Sequence, residues 1–174
     1  MEFLTLNMHQ KSVYLTIFNA TMISRSVAKT LKTRERLANF KISVFRELDD
    51  LTTLMHRREL TDDRILQSIR SLSESFRISI GQAQKPINVL LKNHFFLTRN
   101  ESDEIKEILH CPLDSVILSE LRKKGVAQGL QLSLTGMDEE KYLELQEAIK
   151  GLGSSRIEFD NQWDERHLRD EGLL

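Results

Sequence analysis

The chain has 174 residues but only one cysteine, Cys111, two prolines and seven glycines, and aromatic residues make up 6% of it. A single thiol cannot close an intramolecular disulfide, and the opening residues lack the basic, apolar and small-residue succession of a secretory leader. A reducing, intracellular and cytoplasmic setting is therefore expected. Long apolar runs are also missing. The longest uncharged stretch near the start runs only from Ser12 to Ser24 and includes Asn19, whereas a spanning helix needs about 20 apolar residues, so no membrane span is expected. No glycine-rich phosphate loop, GxSxG or CxxC occurs. The five histidines, His9, His56, His94, His110 and His167, show no spacing that sets two ligands on one helix face. No catalytic residue, metal or cofactor is expected on these grounds.

What is present begins with charge. The net charge is −1, but residues 1–100 carry 16 Lys and Arg against 9 Asp and Glu, and residues 101–174 carry 9 against 17. A basic half of +7 and an acidic half of −8 predict an anionic partner for one half, or attraction between halves within or between molecules.

The first glycine is Gly81 and the first proline Pro86, so the simplest expectation for the first 80 residues is long helix. Val13, Ile17, Ala20, Ser24, Val27 and Leu31 recur at helical spacing, as do Leu37, Phe40, Val44, Leu48, Leu51 and Met55. The two stripes are out of phase by about a residue, which predicts a stutter or break near Thr33. Phe3 to Met8 alternates and allows a strand at 2–8, with helix from about residue 10. Thr61 reads as the cap of a helix over 62–80 that Gly81 terminates, and Pro86 as the opening of the next. Ser102 caps a short helix, and Pro112 starts another that ends at Arg122-Lys123-Lys124-Gly125.

Beyond Gly125 the pattern changes. Leu130, Leu132 and Leu134 alternate with Gln131 and Ser133 as a half-buried strand does, Asp138 caps a helix to Lys150, and Ile157 with Phe159 marks a second strand. The expected fold is mainly α. Long N-terminal helices form a bundle, and a small C-terminal β-α-β (α+β) element follows, to which the N-terminal strand can add. The organisation expected is a basic helical region at 1–100, an acidic region at 101–160 holding the short helices and the β-α-β unit, and a charged C-terminal tail at 161–174.

Two features bear on function. Arg25, Lys29, Lys32 and Arg36, spaced 4, 3 and 4, set four cations in one helical stripe, an anion-binding or partner-binding face. The near-heptad apolar stripes point to self-association through Val13, Ile17, Val27, Leu31, Val44, Leu48, Leu51 and Met55. The primary expectation is a non-enzymatic interaction or regulatory module whose partner is a second copy (a homo-oligomer) or another protein. The alternative is a regulator binding nucleic acid through the cationic stripe. Residues 101–134 resemble a winged helix-turn-helix in their order: a short helix, a turn at Cys111-Pro112, a second helix, then a strand. Leu113, Asp114, Ser115 and Val116 stand where base-reading side chains belong.

Overall fold

The computed structural model describes residues 6–22, 26–98, 102–126, 133–152 and 155–174. Within them the chain forms nine α-helices: α1 (Met8–Met22), α2 (Ser26–Leu31), α3 (Arg34–His56), α4 (Asp62–Phe76), α5 (Ile80–Leu97), α6 (Asp103–Ile108), α7 (Ser115–Lys123), α8 (Glu139–Lys150) and α9 (Arg156–Asp170), with a 3-10 turn at Leu134–Gly136. No described residue lies in a strand, and the expected β-α-β element is replaced by an all-helical arrangement.

One expected strand is helix, and the other two fall largely outside the described residues. Ile157 and Phe159 belong to the first turn of α9, where the Ser155 N–H donates to Glu158 Oε2 at 3.1 Å. Both are buried, because this helix start is covered on more than one side, and two apolar residues one apart cannot separate that case from a strand. The strand at Leu130 to Leu134 falls largely on 127–132, outside the described residues. Leu134 opens the 3-10 turn, and that segment bonds to a helix end rather than to a ladder. Gly81 N–H donates to the Met137 carbonyl at 3.3 Å, and the Ser79 hydroxyl donates to the Leu134 carbonyl. The strand at 2–8 falls mostly on 1–5, also outside the described residues. Leu6 is buried with its N–H on Asp49 Oδ1 at 3.1 Å, and Met8 already opens α1.

The glycine-free first 80 residues turn without glycine. Lys32, Arg58 and Arg77 take left-handed conformations, with φ of 61°, 57° and 52°, which most side chains avoid. Each follows a helix, and a capping threonine or serine soon starts the next: Thr33 accepts from Arg36 N–H and Thr61 from Arg64 N–H, both at 3.2 Å. The expected helix over 62–80 stops at Phe76. Ser79 and Gln82 form a reciprocal capping box that begins α5 at Ile80, so Gly81 lies in a first turn and Pro86 lies inside the helix.

Helix α5 packs on α1, α3, α4, α8 and the 3-10 turn, while α9 packs on α8 and α6. Phe40, Val44, Leu48, Leu51 and Met55 bury one face of α3, joined by Val27 and Leu31 of α2 and by Tyr14 and Phe18 of α1. Apolar area removed from water, at about 25 cal/mol per Å², holds these faces together.

Candidate functional site

The residues α1 and α3 turn away from the core make a second face. With Tyr14 and Phe18 of α1 inside, Leu15 lies outside. On α3 the stripe through Phe40 and Val44 is covered, which leaves Ala38, Ile42, Phe45 and Asp49, spaced 4, 3 and 4, along an adjacent side. Leu15 is 38% exposed and Ile42 58%. Together with Lys11, Lys41 and Arg46 these residues line a cleft of about 610 Å³ with a predominantly apolar surface. Its walls are held by the Lys11–Asp49 ion pair at 3.1 Å and by Phe18 against Phe40 and Phe45, with ring centroids 6.4 and 6.2 Å apart. Lys41 and Arg46 make no ion pair among the described residues. The result is an apolar floor with a basic rim.

A second cleft, of about 480 Å³, lies between α1, α5 and α9 and is lined by Ile17, Thr21, Lys85, Val89, Lys92, Asp114, Asp160 and Asp164 among others. Its charges satisfy one another. Lys92 bonds to Asp160 and, at 2.8 Å, to Asp164, while Lys85 lies 3.6 Å from Asp114. Burial opposes the Lys92 ammonium, but the two carboxylates outweigh it and hold its pKa above the ordinary value. Burial lifts the Asp160 carboxyl, against the pull of Lys92. This cleft clamps α9 to α5.

The most chemically suggestive group is sealed. Asp62, His110 and Tyr142 form a line: His110 Nε2 lies 3.1 Å from Asp62 Oδ1, and Nδ1 lies 2.5 Å from the Tyr142 hydroxyl, which accepts from Asn88 Nδ2 at 2.9 Å. Burial lowers the His110 pKa and pushes the Tyr142 phenol far up. Burial also works against the Asp62 charge, but His110 and Arg156 outweigh it and hold that carboxyl well below the carboxylate range. A neutral His110 accepts at Nδ1 from the Tyr142 hydroxyl, while its Nε2 lies beside Asp62 Oδ1 without hydrogen-bond geometry. Tyr142 and His110 are inaccessible to a substrate, so the line ties α4, α5 and α8 to the α6–α7 link.

The sequence-predicted site residues are dispersed. Of the cationic stripe, Arg25 lies outside the described residues. Lys29 is exposed on α2, Lys32 is the left-handed residue between helices, and Arg36 is exposed on α3 with its guanidinium on the Phe76 carbonyl at 2.7 Å. The reversal at Lys32 breaks the 4, 3, 4 spacing, so these cations do not share one helix face. Of the self-association stripe, Val27, Leu31, Val44, Leu48, Leu51 and Met55 are in the chain's own core, and Val13 and Ile17 are half-buried. Docking through them would require that core to open. Comparison with protein-family models, with curated proteins and with solved structures returns no match.

The winged-helix-like order at 101–134 keeps α6, the turn and α7. The first turn of α7 is capped by Asp114, which accepts from Val116 and Ile117 N–H groups, and Leu113 and Ile117 are buried. An acidic, partly covered helix start does not suit a phosphate backbone. The α1–α3 groove went unread in the sequence, although its signal was there: Ile42 and Phe45 are apolar residues of α3 that fit neither the Phe40–Met55 stripe nor a solvated face. No helix among the described residues is long and apolar enough to cross a membrane, and none of their His, Cys, Asp and Glu side chains form a group able to hold a metal ion.

Proposed function

We propose that this protein is a non-enzymatic interaction module whose docking face is the groove between α1 and α3, and that the groove takes an acidic amphipathic helix. The observation that carries this reading is the pairing of an apolar floor (Leu15, Ala38, Ile42, Phe45) with a basic rim (Lys11, Lys41, Arg46). The span from Ala38 to Asp49 is about 16 Å at 1.5 Å per residue, room for three turns of a docked helix. Helix-in-groove recognition needs apolar anchors for the floor and charges opposite to the rim. Electrostatic complementarity then sets orientation and on-rate more than affinity.

The test is fluorescence anisotropy of a labelled acidic amphipathic helical peptide titrated with the full chain. Saturable binding is expected, lost in the Ile42→Asp variant and weakened by salt. A peptide that binds the variant as well as the parent chain removes the groove from consideration. If anionic vesicles bind through Ile42 while the peptide does not, a lipid surface takes its place.

A further inference from the structure

Resting on that reading of the groove, we infer that its occupant is the C-terminal end of α9 from a second copy of the chain. Helix α9 is anchored firmly at its start. Ile157 and Phe159 are buried, Arg156 holds Asp62 at 2.5 Å, and Lys92 grips Asp160 and Asp164. Beyond that anchor the helix leaves the body, and Asp164 to Arg166 and Leu168 to Leu174 are exposed.

The exposed end is ordered and apolar at its tip. Gly172, at φ 70°, donates its N–H to the Arg169 carbonyl at 3.0 Å, and Leu173 donates to the Leu168 carbonyl at 2.8 Å. These two bonds are the Schellman arrangement, which brings the residue after the glycine back over the last turn of the helix. Leu173 is thereby folded onto the turn that carries Leu168, with Leu174 adjacent. The three are 69%, 38% and 67% exposed. A capped helix end that shows three leucines to water is an exposed apolar patch.

Charge matches the tip to the groove. Beyond the Asp164 anchor, residues 165–174 hold three acids (Glu165, Asp170, Glu171) and two bases (Arg166, Arg169), a balance of −1. The groove carries three bases (Lys11, Lys41, Arg46) and Asp49, a balance of +2. The apolar tip meets the apolar floor, and the acids flank it toward the rim. In this structure the anchor at Asp160 and Asp164 leaves the tip exposed and the same chain's groove open, so a second copy provides the partner. A tip of one copy in the groove of the next is a heterologous contact.

The experiment is sedimentation velocity of the full chain over about 1 to 100 µM at low and high salt, with two surface variants, Ile42→Asp and the double change Leu173→Ser with Leu174→Ser. The parent chain is expected to gain average mass with concentration and to lose it at high salt, and each variant alone is expected to stay monomeric with unchanged melting temperature. Mixed together, the variants keep one intact groove and one intact tip, so they form a one-to-one complex and nothing larger. A mixture that remains monomeric, or a parent chain that is monomeric throughout, overturns the inference. If the acidic peptide still binds the groove in that case, the docking reading survives and only the occupant is wrong; if it does not, both fall.

Discussion

Nε2 of His94 lies 3.0 Å from Nε2 of His56, and the other nitrogen of the His94 ring lies 2.7 Å from the Tyr14 hydroxyl. Burial, and then the neighbouring His56, depress His94 to a pKa of about 4, while burial raises Tyr14 to about 12. Tyr14 therefore donates to Nδ1, which leaves the Nε2 side of the His94 ring facing Nε2 of His56. This chain links α1, α3 and α5.

The linkage gives a pH dependence. Unfolding restores an ordinary imidazole near pKa 6.5, so between that value and about 4 the unfolded chain binds a proton that the folded chain refuses. Stability is unaffected by this group above about pH 6.5 and falls as the pH drops through the window. Urea midpoints measured from pH 7.5 to 4 are expected to decline for the parent chain and to decline less for His94→Gln. Identical slopes would place the titration elsewhere, and His110, whose pKa burial also lowers, is then the group to replace.

Gly81 is a packing requirement. A Cβ built there meets the Leu134 carbonyl oxygen at 2.5 Å and the Met137 Cβ at 2.7 Å, and the first of these is backbone that cannot swing away. Gly81→Ala is expected to cost about 1 to 3 kcal/mol in chemical denaturation. Gly136→Ala, with no atom within 4 Å of the added carbon, serves as the near-neutral control.

Arg156 is 3% exposed and holds Asp62 together with the carbonyls of Glu107 and Ile108, at 3.0 and 3.2 Å. Arg156→Ala leaves Asp62 with His110 alone and takes the guanidinium donor from both carbonyls, and is expected to cost about 1 to 3 kcal/mol. Arg156→Lys is expected to recover little, because one ammonium cannot reproduce the guanidinium fork. Full recovery by lysine would reduce the role of Arg156 to that of a point charge.

The two readings of the basic half separate by charge reversal. Changing Lys41 and Arg46 to Glu is expected to weaken acidic-peptide binding about tenfold or more and to steepen nothing with oligonucleotides, whereas Arg25→Glu with Lys32→Glu leaves peptide binding unchanged. Random duplex or single-stranded oligonucleotides that bind with a steep salt slope, flattened by the second pair, would instead support the nucleic-acid alternative.

Where the sequence was legible, the physics was local. Thr61, Ser102 and Asp138 are the caps expected of them, accepting from Arg64, Ile105 and Lys141 N–H groups, because a cap needs only the backbone three residues on. The break near Thr33 was visible because two stripes fall out of phase. The turns at Lys32, Arg58 and Arg77 were not, since a left-handed residue without glycine carries no mark in the sequence; packing on either side imposes it.

Ile42 and Val44 show the remaining division. Both are β-branched residues of one helix, and the sequence by itself determined that this segment is helical and that it has more apolar residues than one face can hold. Only the tertiary structure decided that Val44 goes fully inside while Ile42 stays in water at the groove, and that Ile157 and Phe159 belong to a helix rather than a strand. Periodicity fixes which residues share a face, but which face is covered depends on which helices arrive to cover it, and that is settled by contacts between segments far apart in the chain.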